Sequence, residues 1–199
     1  MTHTHAVGDP RSARIAVVVP GRMFGPHTPL LMFAAMAAER RGARVHALRW
    51  PEAELTAASE SNETLSSWVT RYVTTALDEL DVADAKPLLI GKSLATYAAQ
   101  VAAQRALPAV WLTPLLADAQ VVNALRGCSE PFLLIGGTAD TGAWDSDVAH
   151  TLSPHVLEVD GADHGMFVPG SLAASAAVLG SVASALEQFL DQTVWPSQP

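Results

Sequence analysis

Short apolar runs alternate with longer segments whose apolar residues recur every three or four positions. The short runs are rich in Val, Ile and Leu and end at Gly or Pro, which is typical of buried strands. The longer segments have helical periodicity. This alternation predicts an α/β fold, a mostly parallel sheet of about six strands with helices on both faces. Strands are predicted at 13–19, 44–49, 86–91, 109–112, 131–135 and 156–159, and helices at 29–41, 63–80, 94–105, 118–126, 145–152 and 172–190.

The chain of 199 residues is the length of one domain, which we expect to span residues 13–192. Residues 1–12 are interpreted as a flexible N-terminal lead-in without the apolar core of a signal peptide, and residues 193–199 as a C-terminal tail. His3 and His5 are read as part of that lead-in and not as metal ligands. The apolar run 172–190 contains Ala, Ser, Gly and Glu187, which favours a helix packed on the domain over a membrane span.

Composition and charge narrow the possible partners. Apolar residues make up 49% of the chain, charged residues 16%, and the net charge is −8. The chain should therefore be globular, and without a basic block we expect neither nucleic acid nor a membrane as partner. Its single cysteine, Cys128, excludes an internal disulfide, and the cytoplasm is the expected compartment.

One turn carries a chemical motif. Residues 91–95 read Gly-Lys-Ser-Leu-Ala between a predicted strand and a predicted helix. A serine that attacks a carbonyl must expose its hydroxyl on a tight strand-to-helix turn, which requires small residues two positions before and after it. Gly91 and Ala95 meet this requirement, so Ser93 is a candidate nucleophile. A helix N-cap is the alternative role for Ser93.

Two further candidates follow later strands, at the sheet edge where α/β proteins place their sites. Asp140 follows the 131–135 strand, and His164 follows the 156–159 strand in Gly-Ala-Asp-His-Gly. His164 would act as base and Asp140 would orient its ring. Asp145 is a rival acid on the same loop, while Asp163 is too close in the chain to reach the His164 ring easily.

The order Ser93, Asp140, His164 and the strand–turn–helix setting resemble the α/β-hydrolase superfamily. The resemblance covers nearly all of residues 13–190 and is greatest to small, lidless serine hydrolases that lack the first antiparallel strand pair. Residues 20–25, Pro-Gly-Arg-Met-Phe-Gly, resemble the oxyanion loop, with Pro-Gly where His-Gly is also found. The resemblance implies an oxyanion hole of the Leu94 N–H and a second amide, that of Arg22 or Met23.

Large apolar residues fall in loops at the same edge. Met23, Phe24, Trp144, Met166 and Phe167 would form either an acyl pocket or local packing. Lys92 is expected to face solvent, since the residue beside a serine in a sharp turn points away from it. Only about twenty residues separate the 109–112 and 131–135 strands, which is too few for a lid domain, so we expect an open site.

These observations predict a serine hydrolase that cleaves an ester or thioester with a small or medium, fairly apolar acyl group through an acyl-enzyme. No metal or organic cofactor is required. The alternative is an acyltransferase that passes the acyl group from Ser93 to the thiol of an acyl carrier protein or to another acceptor. A non-catalytic binding module is the third possibility, since fold does not determine function.

Overall fold

The computed structural model describes residues 4–9, 12–23, 25–60, 64–80 and 85–196. Its centre is a seven-stranded sheet in the order β1-β3-β2-β4-β5-β6-β7. Six strands are parallel, and β1 lies antiparallel to β3 at one edge. The strands are β1 (Thr4–Val7), β2 (Ile15–Val19), β3 (Arg44–Leu48), β4 (Leu88–Lys92), β5 (Ala109–Leu112), β6 (Phe132–Gly137) and β7 (His155–Val159).

The edge strand β1 was not predicted. Residues 4–7 were predicted to lie in a flexible lead-in, but they pair with residues 45–48 of β3. The sheet therefore has seven strands instead of six, and one strand is antiparallel. An edge strand is held largely by backbone hydrogen bonds to a single neighbour, so four residues without a long apolar run are sufficient.

The helices are α1 (Pro29–Glu39), α2 (Glu52–Glu60), α3 (Leu65–Glu79), α4 (Ala99–Arg105), α5 (Ala119–Arg126), α6 (Ser146–Leu152) and α7 (Leu172–Phe189). A 3₁₀ segment, Ser93–Ala98, leads into α4, and a π-helical turn, Leu190–Val194, extends α7. Helix α2 was not predicted, because its sequence is mostly polar and small and buries little more than Ala58.

Alternate residues of each strand point to opposite faces of the sheet, as the pleat requires. On β2, Val17 and Val19 join a core that includes residues of α3, α4 and α5, while Ala16 and Val18 join the core shared with α1 and α7. The sheet is therefore covered on both faces, as predicted.

The C-terminal helix is long and apolar. By length and composition alone, Leu172–Val194 could cross a membrane, with a mean hydropathy of 1.3. In the folded chain α7 packs on α1 and buries Val178, Val182 and Leu186 against the sheet. Packing extends past the predicted domain end, since Val194 and Trp195 also lie against this core.

Candidate active site

Ser93 occupies a strained turn at the carboxyl end of β4. Its backbone φ is +51°, a left-handed conformation that is uncommon for residues other than glycine. Such strain is concentrated at functional sites, and it is expected for a serine held on a sharp strand-to-helix turn. Ser93 begins the 3₁₀ segment, so the following N–H, that of Leu94, lies in its first turn.

The small residues around Ser93 have a specific packing partner. A Cβ added to Gly91 would lie 2.6 Å from Cζ3 of Trp111 and 3.0 Å from Cβ of Ala95. Trp111 lies on β5 beside Gly91 and is fully buried, as expected for a core residue. The glycine is therefore required by the tryptophan ring on the next strand as well as by the turn itself.

The structure brings together the three residues predicted to act as nucleophile, base and acid. Nε2 of His164 lies 2.8 Å from Oγ of Ser93, and Nδ1 lies 2.6 Å from Oδ2 of Asp140. A carboxylate only accepts hydrogen bonds, so Nδ1 donates to Asp140 and the neutral ring leaves Nε2 free to accept from the serine hydroxyl. Asp140 is buried, with 8% of its surface exposed, whereas the His164 side chain is 42% exposed.

The loop after β6 holds Asp140 through its own backbone. The Asp140 carbonyl accepts from the N–H groups of Ala143 and Trp144, at 3.1 and 2.8 Å. The Trp144 ring packs where a side chain at Gly136 would be, within 2.0 Å of the position of an added Cβ, and its Nε1–H donates to Glu158 Oε2 at 2.7 Å. Trp144 thus anchors this loop to β7.

The loop after β7 is shaped by Asp163. Its Oδ1 accepts from the N–H groups of Gly165 and Phe167, at 2.8 and 2.9 Å. The Asp163 N–H donates to the Phe167 carbonyl at 2.9 Å, and Met166 takes a left-handed φ of +64°. Asp163 therefore holds the turn that carries His164 and does not compete with Asp140 for the ring.

Asp145, the rival candidate for the acid, caps a helix. It is the N-cap of α6, and its Oδ1 accepts from the Val148 N–H at 3.0 Å. Its carboxylate is thus occupied at the helix end, while Asp140 makes the contact with His164.

The expectation that Lys92 faces solvent is wrong. Its Nζ donates to Thr113 Oγ1 at 3.0 Å and to the His164 carbonyl at 3.1 Å. Burial lowers the pKa of Lys92, although the charges of Asp140 and Asp163 act in the opposite direction. Lys92 therefore links the end of β5 to the His164 loop beside the proposed chemistry.

A cleft of about 610 Å³ opens next to Ser93 and His164. Four predicted residues, Arg22, Met23, Met166 and Phe167, line it. Trp144 does not, because its ring packs into the core on the face of the sheet that α3, α4 and α5 cover, whereas Met166, which is 1% exposed, belongs to the core shared with α1 and α7. Phe24 lies outside the described residues. The sequence analysis did not identify the part of the lining that comes from two helices. These residues are Thr28, Pro29 and Leu30 at the start of α1, and Leu172, Ser175, Ala176 and Leu179 of α7.

The mouth of the cleft is apolar. Met23, Phe167 and Leu172 come from three separate segments, and they are 81%, 55% and 77% exposed. Large apolar side chains exposed together commonly mark a site that binds an apolar group. Among the described residues, none of those in the connection 113–118 between β5 and α5 lines the cleft.

The loop after β2 lies against the serine turn, as the resemblance implied. A Cβ added to Gly21 would be 3.5 Å from the Lys92 carbonyl oxygen and 3.7 Å from Cβ of Ser93. Gly21, Arg22 and Met23 all line the cleft, as Ser93 does.

Other reactive groups lie apart from this arrangement. Cys128 is half-buried, and burial raises its pKa to about 11, which leaves it as an unreactive thiol. In the part of the chain that the structure describes, no group of three or more His, Cys, Asp or Glu side chains is arranged to hold a metal ion.

Several solved structures that are similar to this chain are described as α/β-hydrolases. Est1E from Butyrivibrio proteoclasticus, with ferulic acid bound, has a TM-score of 0.68 at 14% identity, covering 97% of this chain and 96% of its own. Dienelactone hydrolase from Anabaena variabilis has a TM-score of 0.69 at 18% identity, covering 96% and 91%. The chain has the α/β-hydrolase fold.

A third similar structure is XC6422 from Xanthomonas campestris, described as an α/β serine hydrolase without a lid, with a TM-score of 0.59 at 15% identity over 98% of this chain and 90% of its own. No protein-family model and no curated protein sequence matches the chain. The predicted fold is confirmed, and at these identities the α/β-hydrolase likeness concerns the fold alone.

Proposed function

We propose that this α/β-hydrolase-fold protein is a serine esterase or thioesterase that acts through Ser93, His164 and Asp140. The observation that carries the proposal is the chain of two short contacts, 2.8 Å from Ser93 to His164 and 2.6 Å from His164 to Asp140, at the mouth of a cleft. A nucleophile, a base in contact with it and a group that orients the base are the requirements for acyl transfer.

The reaction follows from these positions. Ser93 Oγ attacks the carbonyl carbon of the substrate while Nε2 of His164 takes the hydroxyl proton. The resulting imidazolium is stabilised by Asp140, and its proton passes to the departing alcohol or thiol. Water then attacks the acyl-enzyme, again with His164 as base, and the carboxylic acid leaves with Ser93 regenerated.

The cleft indicates the acyl group. Its lining beyond Ser93 is apolar on the α7 side, through Leu172, Ala176 and Leu179, and a volume of about 610 Å³ is in the range of small-molecule sites. We therefore propose an uncharged acyl group of small or medium length that lies between the starts of α1 and α7.

Labelling with a fluorophosphonate probe and hydrolysis of p-nitrophenyl esters test the assignment. We expect wild type to be labelled and active, and Ser93→Ala to lose both while keeping its unfolding midpoint. Ser181→Ala is the matched control, because Ser181 is an exposed serine of α7 whose hydroxyl, among the described residues, bonds to the carbonyl of Ala177 in its own helix. Full activity in Ser93→Ala would overturn the proposal.

The acceptor is tested in the same assay. Labelling without ester hydrolysis, followed by rapid acyl loss when a carrier-protein thiol is added, would indicate an acyltransferase. The lack of both labelling and hydrolysis would indicate a binding module.

A pair of neighbouring alanines tests the position of the acyl group. Ala176 lines the cleft and Ala177 does not, although both are exposed on α7. Ala176→Phe should reduce kcat/KM for octanoyl esters by at least about 10-fold relative to acetyl esters, since it fills the cleft. Ala177→Phe should leave the ratio unchanged, and an equal effect of the two changes would place the acyl group elsewhere.

A further inference from the structure

Trp50 is bonded to the loop proposed to hold the oxyanion. It lies two residues beyond the end of β3, next to β2 in the sheet. Its indole Nε1–H lies 3.1 Å from the Pro20 carbonyl oxygen and 3.0 Å from the Gly21 carbonyl oxygen. One donor thus binds two successive carbonyls at the point where β2 ends.

These contacts determine which way the loop amides point. In a planar trans peptide the carbonyl and the following N–H lie on opposite sides of the backbone. The Gly21 carbonyl points to Trp50, so the Arg22 N–H points away from it. Trp50 is not part of the cleft lining, whereas Gly21, Arg22 and Ser93 are.

The Arg22 amide is free to meet a substrate. Among the described residues, its N–H donates no hydrogen bond. The Arg22 side chain donates to Ser59 Oγ of α2 at 3.3 Å, and Arg22 is an exposed residue.

The indole itself is held in place by packing. Its ring centroid lies 5.1 Å from that of Trp68 and 5.3 Å from that of Tyr72, both on α3. The Tyr72 hydroxyl also donates to the carbonyl of Arg49, the residue before Trp50, at 2.8 Å. A donor whose ring packs against two other aromatic rings can hold a loop in one orientation before substrate arrives, which is what transition-state stabilisation requires.

We infer that Trp50 is a positioning residue that fixes the Gly21–Arg22 peptide so that the Arg22 N–H, together with the Leu94 N–H, binds the oxyanion. The inference rests on the proposed function and decides between Arg22 and Met23 as the second donor. Trp50 touches neither substrate nor reacting atoms, so its effect is exerted entirely through the loop.

Trp50→Phe tests this, because it keeps an aromatic ring against Trp68 and Tyr72 and removes the donor. Loss of an oxyanion donor costs about 10²–10³-fold in kcat. We expect Trp50→Phe to lower kcat for a p-nitrophenyl ester by about 10- to 100-fold, because the amide is displaced and not deleted, with KM within about threefold of wild type.

Trp68→Phe is the matched control. It is the same substitution in the same aromatic cluster, and no hydrogen bond joins Trp68 to the loop among the described residues. Trp68→Phe should reduce the unfolding midpoint at least as much as Trp50→Phe, since Trp68 is 1% exposed. It should leave kcat within about threefold of wild type, because a phenyl ring remains against the indole and Trp50 keeps its N–H donor to the loop.

Inhibition by a short alkyl trifluoromethyl ketone reports the oxyanion hole separately, because its serine adduct carries an oxyanion. We expect the inhibition constant to rise in parallel with the loss of kcat in Trp50→Phe and to stay unchanged in Trp68→Phe. If Trp50→Phe does not fold, benzothienylalanine at position 50, which replaces N–H by sulfur in the same ring shape, should give the same result.

The outcomes separate the two proposals. A wild-type protein without Ser93-dependent turnover would overturn both the proposed function and this inference. An active wild type in which Trp50→Phe and Trp68→Phe have equal kcat and equal ketone affinity would overturn only the role of Trp50.

Discussion

Replacement of Gly91 by alanine should damage stability and activity together. The added Cβ would lie 2.6 and 2.9 Å from two ring carbons of Trp111 and 3.0 Å from Cβ of Ala95. Carbon atoms pack best at about 3.5–4.0 Å, so the shortest contact is too close by about 1 Å. Trp111 is fully buried, and close-packed protein interiors leave a ring little room to move. Overpacking of this kind costs about 1–3 kcal/mol in free energy of unfolding.

The same clash should displace Ser93, two residues further along. A shift of about 1 Å in a reacting group can cost about 10²-fold in rate. We therefore expect Gly91→Ala to lose about 2 kcal/mol in urea unfolding and about 100-fold in kcat for a p-nitrophenyl ester.

Gly180→Ala is the control for this prediction. Nothing lies within 4 Å of a Cβ added at Gly180, which is inside α7, so the change should raise the free energy of unfolding by about 0.5–1 kcal/mol and leave kcat unaltered. The cost of Gly91→Ala should also be smaller in a Trp111→Phe background than in wild type, because the ring is smaller. Wild-type stability and turnover in Gly91→Ala would refute the argument.

Three further predictions concern titratable groups. Asp140→Asn should lower kcat about 10⁴-fold at neutral pH, because the amide favours the wrong tautomer of His164. Asp145→Asn keeps an oxygen that can cap α6, so its kcat should stay within about threefold of wild type. If steady-state kinetics gave the reverse order, Asp145 would be the acid. Lys92→Met should keep or raise the free energy of unfolding, because burial lowers the pKa of Lys92 and so disfavours its charged form in the fold. The same change should reduce kcat about 10-fold, because the His164 carbonyl loses its hydrogen bond from Lys92 and the loop that carries His164 is held less firmly. If the free energy of unfolding fell together with kcat, Lys92 would have a structural role only. Burial, and to a smaller extent the charge of Arg44, lowers the pKa of His46. The unfolded chain therefore binds more protons than the folded one, and the free energy of unfolding should fall as the pH drops below about 6.5. The urea midpoints at pH 7.5 and pH 5.5 should lie closer together in His46→Phe than in wild type, and an unchanged difference would exclude His46 as the cause.

The fold and the order of the candidate residues could be predicted from the sequence because both depend on local patterns. Runs of Val, Ile and Leu identify strands buried on both faces, and Gly91 and Ala95 reveal a tight turn around Ser93. The carboxyl ends of parallel strands lie at one edge of the sheet, so residues that follow β4, β6 and β7 share that edge, although β5 separates β4 from β6. The contacts of Ser93, His164 and Asp140 are in line with this reasoning, while their catalytic roles stay a prediction.

What could not be predicted depends on partners that are distant in sequence. The antiparallel edge strand β1 has little apolar signature of its own and is defined by β3. Lys92 turns inward because Thr113 and the His164 carbonyl offer acceptors there, and Trp144 is buried because Gly136 leaves space for its ring.

The cleft and the loop beside it depend on the tertiary structure alone. The walls of the cleft combine the starts of α1 and α7, which are more than 140 residues apart in the chain. In the sequence, both helices look like ordinary packing helices. The orientation of the Gly21–Arg22 peptide depends on Trp50, whose indole donor reaches the loop only because β3 lies beside β2 in the sheet. A hydrophobic pattern specifies which face of an element is buried, but the identity of the atoms on the other side is specified only when the elements are packed together.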